Sequence, residues 1–155
     1  MTLKRFLVLV SAFFLIPTQW AAAGEIMVDQ SWVMLPPPNS AAAGFMNIRN
    51  HSDEAVTLVG AETASAKRIE IHRSQISDGV ARMERLEEVS IPAHESVVFS
   101  PKGMHLMLID PIPLNEGETI SIQLKFESGA DALVKAMVQR RPPVEDAGSG
   151  HHSHH

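Results

Sequence analysis

The chain has 155 residues, 45% of them hydrophobic and 20% charged, and a formal net charge of -5. That size and balance suit one globular domain and exclude wholesale disorder, while the acidic excess leaves no electrostatic footprint for nucleic acid. Cys is absent, although Met and His each occur 8 times. This excludes disulfides, thiolate nucleophiles, Cys-based zinc or iron–sulfur sites and the thiolate-dependent blue-copper centre.

Lys4 and Arg5 precede an apolar run from Phe6 to Ile16, broken only by Ser11. Pro17 ends the run, and Ala21-Ala22-Ala23 offers a small-residue cleavage site before Gly24. Residues 1–23 therefore read as a secretory signal, because the run falls short of the ~20 apolar residues a membrane-spanning helix needs. An exported protein is expected, with no stable membrane insertion after cleavage. With no Cys after the signal, no lipid anchor is expected either. Losing Lys4 and Arg5 makes the exported chain more acidic and leaves every His in place.

From Gly24 to Arg141 no long 3.6-residue apolar period occurs, and short alternating or β-branched runs alternate with turn residues. Ile26 to Val33 reads as a first strand, followed by the extended loop Pro36-Pro37-Pro38-Asn39-Ser40. Gly44 to Arg49 alternates and ends in the Asn50-His51-Ser52-Asp53 turn. Ala55 to Ala61 is the next strand, and Glu62 to Lys67 is read as one possible helical turn. Arg68 to Arg73 places Ile69 and Ile71 on one face. Gly79 to Leu86 follows the Asp78-Gly79 turn. Ser96 to Phe99, Met104 to Ile109, Thr119 to Phe126 and Ala132 to Gln139 complete the set. Strands at this spacing predict an antiparallel β-sandwich or barrel.

Residues 142–155 change character. Pro142-Pro143 stops the last strand, an acidic Gly/Ser-rich stretch follows, and the chain ends His151-His152-Ser153-His154-His155. Without apolar residues this segment predicts a disordered tail. Its His run reads as a metal-binding segment rather than an expression tag, since Ser153 interrupts it and the signal is still present.

Met104-His105-Leu106-Met107-Leu108 is the most informative stretch. On a strand, His105 and Met107 share a face, roughly 7 Å apart, while Leu106 and Leu108 point the other way into a core. His72 faces away from Ile69 and Ile71, beside Arg68 and Glu70. Met83 lies on the strand after the Asp78-Gly79 turn. Two imidazoles and two thioethers form a soft, neutral donor set that favours Cu(I). Met is not a usual zinc ligand, and calcium and magnesium require oxygen. Taken singly, each residue has a plainer reading. A strand His is more often a surface or hydrogen-bonded group, and Met83, Met104 and Met107 can equally be core filler. Met27, Met34, Met46 and Met137 are assigned to the core, and His51 and His94 to solvated turns.

The spacing His72-x10-Met83-x21-His105-x-Met107 resembles the signature of periplasmic copper chaperones of the PCuAC type. Three further blocks resemble that family: Gly44-Phe45-Met46-Asn47-Ile48-Arg49-Asn50, Gly103-Met104-His105-Leu106-Met107-Leu108 and Pro113-Leu114-Asn115-Glu116-Gly117-Glu118. The likeness runs from about Ile26 to Val138. It implies a cupredoxin-like antiparallel β-sandwich of Greek-key type binding one Cu(I) through His72, Met83, His105 and Met107. It also implies a periplasmic, non-enzymatic carrier, expected as a monomer, that delivers copper to an accepting protein of the cytochrome oxidase assembly pathway. Some members bear a Met/His extension that takes Cu(II). Here His151, His152, His154 and His155 match in part, because no Met follows Met137. Two other readings share the same residues: a copper or zinc buffer without a delivery partner, and a metal-free β-sandwich interaction module.

Overall fold

The computed structural model describes residues 25–77 and 79–142. The expected signal over residues 1–23 and the His tail from His151 lie outside the described residues. Ten strands form the described fold: β1 (Ile26–Met34), β2 (Ala42–Asn50), β3 (Val56–Glu62), β4 (Ala66–Ser77), β5 (Val80–Leu86), β6 (Val89–Ile91), β7 (Ser96–Phe99), β8 (Met104–Pro111), β9 (Thr119–Phe126) and β10 (Asp131–Gln139). They are hydrogen-bonded in the order β5-β4-β8-β7-β2-β1-β10-β9-β3-β6, with β8 also pairing β2.

This ribbon of strands folds over, so that β9 packs across β2 and β8. The position of a Cβ on Gly44 (β2) would lie 3.4 Å from Leu106, 3.6 Å from Leu108 and 3.8 Å from Ile122. Ile48, Leu58, Ile91, Leu106, Leu108, Ile122 and Leu124 fill the space between the layers and are fully buried. Each such side chain contributes about 1.5–3 kcal/mol relative to exposure. The all-β sandwich expected from short alternating runs is therefore the observed fold. Two pairings depart from an antiparallel arrangement: β1 runs parallel to β10, pairing Trp32 with Met137 and Val33 with Val138, and β7 runs parallel to β8, pairing Phe99 with Met104.

Two local readings are corrected. Residues 62–67 form no helical turn, because β3 ends at Glu62, the chain turns, and β4 begins at Ala66. The three-residue β6, too short to show alternation, caps the sheet by pairing β3. The assignment of all four remaining methionines to the core also fails. Met46 is buried, but Met27 and Met137 are about half exposed. They lie opposite Arg49 and Thr119, on outward-facing positions.

A bulge in β1 sets up the site described below. Between the pairs Asp29–Asn47 and Trp32–Phe45, two residues of β1, Gln30 and Ser31, stand against Met46 alone, with Gln30 at a φ of 52°. The extra residue resets the alternation. Val28 and Val33 then both face the core, opposite Ile48 and Gly44, while Trp32 is turned to the other face of β2, opposite Phe45.

Asn50 ends β2 as a buried polar anchor. Its Nδ2 donates to the carbonyls of Glu54 at 2.7 Å, Ile91 at 3.1 Å and Pro92 at 3.1 Å. Its Oδ1 accepts from the amide and hydroxyl of Ser52. One amide thereby satisfies loop backbone groups that would otherwise be buried without partners.

Candidate metal centre

β4 and β8 pair antiparallel over most of their length, and the register puts His72 directly opposite His105. Directly opposite residues share a face of the sheet. Glu70 and Met107 therefore lie on that face one step along, being opposite each other. On the far side of β4, β5 places Arg85 opposite His72 and Met83 opposite Ser74. All four candidate ligands thus project from one face, spread over β5, β4 and β8.

The four are not equally close. The two imidazole rings have centroids 5.9 Å apart at 57°. With a metal–nitrogen bond of about 2 Å, two imidazoles on one ion have ring centres about 6 Å apart at most, so this pair is already at bridging distance. Met107 is two residues from His105 on the same strand and diagonal to His72. Met83 is diagonal to His72 on the other side, on the edge strand, and half exposed. Neither Met83 nor Met107 is buried in the core. Met104, on the opposite face, packs against the core instead.

His105 is buried and His72 nearly so. A row of rings supports them: Trp32 and Phe45 have centroids 4.6 Å apart, and Phe45 and His105 6.4 Å. Trp32 and Phe45 are themselves buried. Burial holds the His105 pKa below its usual value, and the neighbouring His72 adds to that shift against the opposing bond to Gly103. A neutral imidazole is the form that binds a metal.

Glu70, noted in sequence only as a neighbour of His72, is hydrogen-bonded to this candidate ligand. Its Oε2 accepts from His72 Nε2 at 2.9 Å, and its Oε1 accepts from Arg68 Nε at 2.9 Å with Arg85 Nη1 3.7 Å away. These bonds, Arg68 first and His72 next, lower the Glu70 pKa. The strict alternation Arg68-Glu70-His72 is the signal that could have found it.

His51 is exposed and lies away from this face, as expected of a turn residue. His94 sits exposed in its turn with Nε2 3.0 Å from Asp53. Among the described residues no three His, Cys, Asp or Glu side chains group closely enough to hold a metal alone. Besides the two imidazoles, the nearby donors on this face are the thioethers of Met107 and Met83, a type that suits soft ions. A separate cavity between the Pro36–Ser40 loop and the end of β8 with the residues after it includes none of the four candidate ligands.

Residues 26–138 match the LpqE-like family, described as lipoproteins. A protein of Leifsonia xyli subsp. xyli named as a lipoprotein, Lxx21020, is 28% identical over 119 residues, 76% of this chain and 71% of that protein. The solution structure of apo-DR1885 from Deinococcus radiodurans is 30% identical, covers 91% of this chain and 97% of that one, and superposes with a TM-score of 0.59. The same protein solved as CuI-DR1885 is 32% identical over 72% of this chain and 76% of that one, also at 0.59. The copper-bound PCuAC domain from PmoF2 covers 77% of this chain and 97% of that domain at a TM-score of 0.64. At 22% identity, it shows a shared fold.

Proposed function

Because this chain belongs to the LpqE-like family, whose fold it shares with copper-bound PCuAC domains, we propose that it is an exported copper carrier. It holds one Cu(I) as cargo at His72, His105, Met107 and Met83. The observation that carries this reading is the direct opposition of His72 and His105 at 5.9 Å. The ionised Glu70 carboxylate and the Gly103 carbonyl can only accept. In the neutral form His72 therefore carries its proton on Nε2 and His105 on Nδ1, and each ring keeps one lone pair. The relative DR1885, solved with Cu(I), supports the choice of ion.

The chain's own geometry suits a carrier more than a catalyst. Two imidazoles and two thioethers fill a four-coordinate soft ion and leave no position for a substrate. His72 and His105 are fixed in the sheet, whereas Met83 stands on the open edge strand β5. Release then begins at Met83, where a partner's sulfur ligand can replace the thioether before the buried imidazoles let go. The accepting protein belongs to the oxidase assembly pathway that the sequence resemblance implies, and the protein works in the periplasm as a monomer. His151, His152, His154 and His155 form an auxiliary Cu(II) site.

The test is a competition titration of the protein from Gly24 to Pro142 against a chromophoric Cu(I) chelator. One Cu(I) per chain is expected, with affinity falling when Met83 and Met107 are both replaced by Leu. Unchanged affinity in that double variant would remove the thioethers from the site.

A further inference from the structure

The two imidazoles are held in opposite senses, and this goes beyond naming them as ligands. His105 Nδ1 lies 3.3 Å from the Gly103 carbonyl, which leaves Nε2 outward. His72 is the reverse: Nε2 is taken by Glu70 at 2.9 Å, and Nδ1 is buried with no hydrogen-bond partner. A buried ring nitrogen without a partner is costly in a folded protein. It is accounted for if that lone pair is kept for a ligand.

We propose that Glu70 is the positioning residue of the centre, fixing His72 as the Nε2–H tautomer so that His72 binds Cu(I) through Nδ1 while His105 binds through Nε2. This inference rests on the Cu(I)-carrier reading above. Glu70 divides its two oxygens between tasks: Oε2 orients the imidazole, while Arg68 and Arg85 hold Oε1. The guanidiniums keep the carboxylate ionised and stop it from turning toward the ion as a ligand itself. Nδ1 is the ring nitrogen nearer the backbone, so binding through it draws the ion down toward β4. A carboxylate behind a metal-bound His is a recurrent arrangement whose removal costs about 10–100-fold in metal affinity.

The experiment is long-range 1H–15N NMR of the His rings in the protein from Gly24 to His155, with and without Cu(I) supplied as its acetonitrile complex. Metal-free protein should show His72 as the Nε2–H tautomer and His105 as the Nδ1–H tautomer. On adding Cu(I), the His72 Nδ1 and His105 Nε2 resonances should shift. Glu70→Gln keeps an acceptor oxygen and should keep the His72 tautomer. Glu70→Leu should give a mixed His72 tautomer and about 10–100-fold weaker Cu(I) binding. An Nδ1–H tautomer for His72 in the unmodified protein, or a Cu(I)-induced shift at His72 Nε2, would overturn the inference while leaving the carrier reading intact. The absence of any shift on either ring would overturn both.

Discussion

His72 and His105 stand directly opposite each other on β4 and β8, with ring centroids 5.9 Å apart, although 32 residues separate them in the chain. The register that pairs them is fixed by the other face of the same strands. There Ile71 opposes Leu106 and Ile69 opposes Leu108, all packed into the core. A slip of β8 by one residue would send Leu106 and Leu108 outward and His105 into the core. The hydrophobic layer therefore places the imidazole pair.

On the proposed ligand set, replacing His72 or His105 with Ala removes a ligand outright. Loss of a supporting group alone costs about 10–100-fold, so either single change should weaken Cu(I) binding by more than about 100-fold. Competition against a chelator checks this. A fall of less than about tenfold in both variants would place the ion elsewhere.

The two methionines should separate in stability. Met83 is half exposed on an edge strand, and Met83→Leu should alter unfolding free energy by no more than about 0.5 kcal/mol, as for other surface changes. Met107→Leu, in a half-buried position, should cost less than about 1.5 kcal/mol. Both should lower Cu(I) affinity. Urea denaturation paired with titration distinguishes loss of a ligand from loss of fold.

Phe45 backs the candidate centre, since its buried ring packs on Trp32 at 4.6 Å and lies 6.4 Å from His105. Phe45→Ala should destabilise the fold by about 3–5 kcal/mol. Fluorescence of Trp32 should report this directly in the protein from Gly24, where Trp32 is the remaining tryptophan. A loss below about 1 kcal/mol would mean the ring is not packed as described. Asn50→Ala should also be costly, at about 1–3 kcal/mol, because it removes the donor to three loop carbonyls, that of Ile91 in a buried bond.

The metal-free protein should lose stability as pH falls below about 6.5. Burial lowers the His105 pKa in the fold from its ordinary 6.5. In that window the unfolded chain takes up a proton that folded His105 resists, so acid favours unfolding until the folded pKa is also passed. His105→Gln should show a shallower decline between pH 7.5 and 5.5 than the unmodified protein. Identical declines would show that His105 does not carry this dependence.

Much of the centre was legible from alternation. His105 and Met107 were placed opposite Leu106 and Leu108, and His72 opposite Ile69 and Ile71, because a two-residue period assigns faces without knowledge of pairing. What alternation cannot give is the neighbour. Nothing in the sequence says that β4 pairs β8 in the register that joins the two His, or that β10 returns parallel to β1. Met27 and Met137 lie half exposed against expectation for a related reason, since an apolar residue on a strand does not reveal whether its face is covered. The bulge at Gln30 is not legible either, because the polar Asp29-Gln30-Ser31 step within Ile26 to Val33 does not say which strand residue is extra.

X-ray absorption at the copper edge, on the Cu(I)-loaded protein from Gly24 to Pro142, tests the central claim most directly. A first shell containing both nitrogen and sulfur, with the sulfur contribution reduced when Met83 and Met107 are replaced by Leu, is the predicted result. A shell of nitrogen and oxygen alone would contradict it.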